Sequence, residues 1–102
     1  MPRANFYRKR FAVIYRIDYG CLYYIGQSVD FAARIGDHVA AILSGKHALG
    51  TDTALHDYTF TILQNCDTLS DTGRRALEAR LIGEYSSKEA GCVNKLHKNK
   101  CK

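Results

Sequence analysis

The sequence predicts an α+β fold, a three-stranded antiparallel sheet flanked by helices, in the order β-β-α-(α)-β-α. Three observations carry this. Two adjacent runs near the start alternate with β-branched and aromatic residues around a turn, two later segments repeat apolar residues at helical spacing, and a third alternating run lies between them.

The first run is Phe11 to Tyr19 and the second Leu22 to Gln27; Asp18-Tyr19-Gly20-Cys21 supplies turn residues, so the two are expected to form a hairpin. Gly26 is expected to end the second strand. Ser28 or Asp30 can then cap a helix by accepting from a backbone amide. Phe31, Ile35, Val39 and Ile42 line one face of that helix, which should run to about Ser44 and close at Gly45. Residues 46–56 are small and polar, with room for a short helix around Asp52 to His56. Tyr58 to Gln64 reads as a third strand, threonines on one face and Phe60 and Ile62 on the other. Asp67 to Thr72 offers several capping side chains. Ala76, Leu77, Leu81, Ile82 and Tyr85 then outline a second amphipathic helix ending near Ser87, followed by coil with Gly91 as its turn point.

With 102 residues, 46% hydrophobic and 25% charged, the chain suits one globular domain. The apolar run after the basic start is broken by Arg16 and Asp18, too soon for a signal-peptide core or a membrane span. A cytoplasmic protein is expected, or one in the host cytoplasm if phage-encoded. Cys21, Cys66, Cys92 and Cys101 lack zinc-knuckle spacing and are expected to be reduced thiols.

The net charge of +5 sits at the ends. Residues 1–10 and 93–102 each carry +4 with no acid, whereas the segment between carries −3. The expected organisation is a basic arm over 1–10, a domain over 11–94 and a basic tail over 95–102. Such ends aid solubility, and they also suit contact with a phosphate backbone.

The residues that bear chemistry are Tyr15 in Val13-Ile14-Tyr15, Tyr24 in Tyr24-Ile25-Gly26, and Arg34 and His38 one turn apart on the first helix. Glu78 lies on the second helix, beside the apolar Leu77 and Leu81. Asn94 closes Gly91-Cys92-Val93-Asn94. Phenols, a guanidinium and an imidazole in one place make poor core filling but suit the cutting of a phosphodiester. The pattern resembles the GIY-YIG nuclease family from about Val13 to Asn94, with Val13 in place of the first glycine of the namesake motif.

The resemblance implies the same architecture and a metal-dependent DNA endonuclease with one metal ion and one active site per chain. It implies that Tyr15 helps deprotonate the attacking water, and that Tyr24 positions the water or steadies the scissile phosphate. Arg34 would neutralise charge on that phosphate. His38 would accept or hand on a proton from Tyr15. Glu78 would be the metal ligand, for Mg2+ or Mn2+, with Asn94 supporting it or the substrate. DNA contacts are expected from Arg8, Lys9, Arg10, Arg34, Lys46, His47, Lys95, Lys98 and Lys100. No appended recognition module is expected. A non-catalytic DNA-binding module on the same fold, a nuclease subunit targeted by a partner, and a homodimer stay open.

Overall fold

The computed structural model describes residues 11–93. The expectations placed on Arg8, Lys9, Arg10, Asn94, Lys95, Lys98 and Lys100 lie outside the described residues. Val13, Ile14, Tyr15 and Ile17 are all buried, so strand β1 (Val13–Tyr19) is apolar on both faces, as a central strand must be when both faces are covered. Strand β2 (Leu22–Ser28) pairs antiparallel with it on one side and strand β3 (Tyr58–Asn65) on the other, giving the order β2-β1-β3. Gly20, at φ +59°, opens the left-handed turn between Tyr19 and Leu22, the last pair of the hairpin.

Helix α1 (Phe31–Leu43) begins at Asp30, whose side chain accepts from the Ala33 amide, while Ser28 Oγ accepts from the Asp30 amide. It packs Phe31 and Ile42 onto the face of the sheet that carries Val13, Tyr15 and Ile17. Helix α2 (Asp71–Lys88) begins at Ser70, which accepts from the Gly73 amide. Its Leu77, Leu81, Ile82 and Tyr85 pack onto the opposite face, against Ile14, Tyr23 and Ile25. The sheet is thus flanked by helices, as the alternation predicts.

Several expectations change in detail. Gly26 does not end its strand, which continues to Ser28. The short helix before β3 is a single 3-10 turn, Leu55–Asp57. Asp52 organises that loop: its carboxylate accepts from the Tyr19 hydroxyl and the Ala54 amide, and its carbonyl accepts from the Tyr58 hydroxyl. Phe60 and Ile62 share a face as expected, opposite Ile17 and Tyr15, but only Phe60 packs against the core there. The register slips where Ile14 faces Gln64 and Tyr15 faces Ile62, which makes Leu63 the extra residue of a bulge. Leu63 packs in the core on the α2 side, and Ile62 is left 54% exposed.

The chain after α2 closes one edge of the sheet. The Tyr23 amide donates to the Gly91 carbonyl and the Val93 amide to the Tyr23 carbonyl, forming a parallel bridge at Cys92. Gly91 has φ +99°, and a Cβ there would run into the Cys21 carbonyl, so only glycine serves. Glu89 takes both of its oxygens to the Arg16 guanidinium at 2.9 and 3.1 Å. That guanidinium also bonds Asp18 and lies 4.1 Å from the centre of the Tyr23 ring. Cys21 takes part in a disulfide, which corrects the expectation of four reduced thiols; Cys66 and Cys92 are buried thiols. Among the described residues no helix is long and apolar enough to cross a membrane.

Candidate active site

Tyr15 is 1% exposed in the middle of β1, directly opposite Gly26 in the β1–β2 register. Its phenol lies across the bare backbone of that glycine. A Cβ at Gly26 would stand 2.5 Å from Tyr15 Oη, 2.7 Å from its Cζ and 2.9 Å from Tyr24 Cε2. The role of Gly26 is therefore to leave room for the two phenols. Gly26→Ala is expected to cost about 1–3 kcal/mol of stability, the usual penalty of overpacking, and to displace Tyr15. A lowered urea midpoint would register the penalty; an alanine variant as stable as the parent would refute the packing account.

Around Tyr15 the other rings gather. Tyr24 from β2, Phe31 and His38 from α1 have ring centres 6.3, 5.5 and 5.4 Å from it. Tyr15 Oη is hydrogen-bonded to His38 Nε2 at 2.8 Å, and His38 Nδ1 to His47 Nε2 at 2.9 Å. The Leu49 amide donates to His47 Nδ1 at 3.1 Å. His47 is 8% exposed, with both ring nitrogens engaged. The turn that carries it folds back, so that both nitrogens of the ring expected to contact DNA are taken up by His38 and the Leu49 amide. The neighbouring Lys46 is exposed.

The electrostatics follow from this enclosure. Burial raises the Tyr15 phenol above its ordinary range, with Tyr24 and Glu78 adding to the rise and Arg34 opposing it. Burial and Glu78 likewise raise Tyr24, again against Arg34 and against a hydrogen bond with Tyr15. Both phenols therefore rest protonated near neutrality, with one cation and one carboxylate acting on each. Arg34 is about half exposed, and its ion pair among the described residues is a long one, 3.9 Å, to Asp37. Its charge remains available to a ligand. Glu78 is partly buried on α2, and burial raises its carboxyl group while Arg74 and Arg75 hold it down.

His38 is pushed down to about 4, by burial first and then by the His47 and Arg34 charges, with Asp37 opposing. Burial lowers His47 too. Protonation then favours the unfolded chain, whose histidines titrate near 6.5. The sign is that of a depressed group: stability is complete above about 6.5 and falls as pH drops through about 4. Urea midpoints are expected to decline between pH 7 and pH 5, above the range in which ordinary carboxylates titrate, and His38→Leu should flatten the decline. A midpoint constant across that interval would count against neutral, buried imidazoles.

Arg74 is a residue that sequence reasoning missed. It is 5% exposed, donates from Nε to Gln27 Oε1 and bonds Asp71 at 2.8 Å. Its place one helical turn before Glu78, on the same face of α2, was the available signal.

The chain matches the family model of the GIY-YIG catalytic domain over residues 11–90. It belongs to the GIY-YIG family. No curated protein and no solved structure matched it. The two namesake segments of this GIY-YIG domain are thus Val13–Tyr15 in β1 and Tyr24–Gly26 in β2, adjacent and antiparallel. The domain brings Tyr15, Tyr24 and His38 into one ring cluster, with the charges of Arg34 and Glu78 acting on both phenols. His47 joins them from behind.

Proposed function

We propose that this GIY-YIG domain is a metal-dependent endonuclease that hydrolyses DNA phosphodiesters, with one metal ion and one site per chain. The observation that carries the reading is the convergence of two phenols, a cation and a carboxylate from four different elements beside one hydrogen-bonded histidine pair. Tyr15 and Tyr24 orient the attacking water and the scissile phosphate through their hydroxyls. Arg34, without a close ion pair among the described residues, binds the phosphate oxygens and offsets charge that builds on them.

Glu78 is suited to hold Mg2+ or Mn2+. Its carboxylate is a hard oxygen donor whose charge burial disfavours, so a dication beside it removes that penalty. Among the described residues no group of three or more histidines, cysteines or carboxylates gathers for a metal, and magnesium accepts one or two protein carboxylates with water and phosphate completing its shell. When bound, such an ion supplies Lewis-acid polarisation of the phosphate and a more acidic water.

The basic ends serve to hold the phosphate backbone in this reading. Neutralising Arg8, Lys9, Arg10, Lys95, Lys98 and Lys100 should weaken binding to all DNA sequences and flatten its salt dependence. The log–log slope should shrink by about one for each phosphate that is no longer paired with a cation. Cleavage at saturating DNA should change little. A salt slope left intact would assign these residues to solubility and move the binding surface to Arg34 and Lys46.

The test of the function is incubation with supercoiled plasmid, with and without magnesium or manganese. Nicking that a chelator abolishes is the expected result. Retardation in a gel without cleavage would replace this reading with that of a DNA-binding module. Silence in both assays would point to a subunit that needs a targeting partner.

A further inference from the structure

The histidine pair behind Tyr15 has a direction, and one backbone amide sets it. A peptide N–H can only donate, so His47 Nδ1, which faces the Leu49 amide at 3.1 Å, must be bare. The ring hydrogen of neutral His47 is then on Nε2, pointing at His38 Nδ1 at 2.9 Å. His38 Nδ1 is thereby an acceptor, and the hydrogen of neutral His38 is on Nε2, pointing at Tyr15 Oη at 2.8 Å.

The opposite sense is blocked. For Tyr15 to donate to His38, Nε2 of His38 would have to be bare and Nδ1 protonated. That would require a bare Nε2 on His47 and a protonated Nδ1, which would meet the Leu49 N–H hydrogen to hydrogen. Burial of His47 keeps water from relieving this conflict.

We propose that His47 is a positioning residue for the cleavage reaction: it fixes His38 as a hydrogen-bond donor to the Tyr15 oxygen, so that His38 does not receive the Tyr15 proton. The proposal deepens the nuclease reading, and rests on it only for the cleavage readout. His38 then holds the Tyr15 oxygen by a bond that strengthens as that oxygen gains negative charge, and no proton passes between them. The hydroxyl hydrogen of Tyr15 is left for the other side of the ring cluster, where Tyr24 is its hydrogen-bond neighbour. The titratable and charged groups that face this chain are Arg34 and Asp37 from α1, Tyr24 from β2, Glu78 from α2 and Tyr58 from β3, whose ring lies edge-on to His47 while its hydroxyl donates to the Asp52 carbonyl; His47 Nδ1, where the direction is decided, accepts from the Leu49 amide.

The experiment is long-range proton–nitrogen NMR on the full chain labelled with 15N-histidine at neutral pH, without DNA or metal. Both His38 and His47 are expected as Nε2–H tautomers. An Nδ1–H tautomer at either would overturn the proposal, whether or not the protein proves to be a nuclease. The functional arm compares His47→Leu with His47→Gln, whose side-chain amide can still donate to His38. His47→Leu is expected to lose tenfold or more in cleavage rate at saturating plasmid, with DNA affinity unchanged and a mixed tautomer at His38. His47→Gln is expected to recover most of that loss. Wild-type turnover in His47→Leu, or no recovery in a folded His47→Gln, would remove the positioning role even if the resting tautomers are as assigned.

Discussion

Glu78→Ala is expected to abolish DNA cleavage while leaving DNA retention nearly unchanged. Glu78 is the carboxylate whose charge reaches both Tyr15 and Tyr24. Removing the proposed metal ligand withdraws several kcal/mol of transition-state stabilisation, which is roughly a thousandfold or more in rate. Binding should persist, because Arg34 and the basic ends are untouched. The fold should persist as well. Burial disfavours the charged form of Glu78, and alanine is the better helix former, so the thermal midpoint should not fall. Plasmid nicking, gel retardation and thermal unfolding of the one variant separate these effects. Near-normal nicking would end the assignment of Glu78 to the metal.

Tyr15→Phe is expected to lower cleavage by roughly a hundredfold or more, in keeping with loss of a group that handles a proton in the transition state. The phenyl ring still fills the space over Gly26, so the sheet should form. The lost hydroxyl leaves His38 Nε2 without its 2.8 Å partner, which should cost about 1 kcal/mol of stability. Single-turnover rates at saturating DNA isolate the chemical effect from that cost. If Tyr15→Phe cuts like the parent while His38→Ala is inactive, the imidazole is the essential group and the roles given to the two must be exchanged.

Much of this was legible in the sequence, and what was not has a common cause. Alternation and helical spacing located the three strands and both helices, because each rests on neighbours a few residues apart. Tyr15, Tyr24, Arg34, His38 and Glu78 stood out through a motif. His47 was legible only as a candidate DNA contact, since only the closure of its turn by the Leu49 amide brings the ring onto His38. Arg16 with Glu89 and Arg74 with Gln27 join positions 73 and 47 residues apart, and no local pattern announces such pairs. The bulge at Leu63 likewise comes from the sheet, not from the strand: residues 58–64 alternate smoothly when read alone. The disulfide at Cys21 was missed because cysteine spacing gave no sign of it.

The two long-range arginine pairs have a joint effect on the helix that carries Glu78. Near its start α2 is tied to β2 through Arg74 and Gln27, and just past its end to β1 and β2 through Arg16 and the Tyr23 hydroxyl, both bonded to Glu89. Such a helix is a beam fixed at both ends, with its carboxylate near mid-span and no hinge between the carboxylate and the tyrosines. The reactive groups therefore belong to one cooperative unit, and a local opening that frees Glu78 from the phenols must also break the sheet's own anchors. On heating, cleavage competence and tertiary structure should disappear in a single transition. In the proposed nuclease reading, the adjustment needed to seat a phosphodiester then falls on the DNA rather than on the helix that carries Glu78.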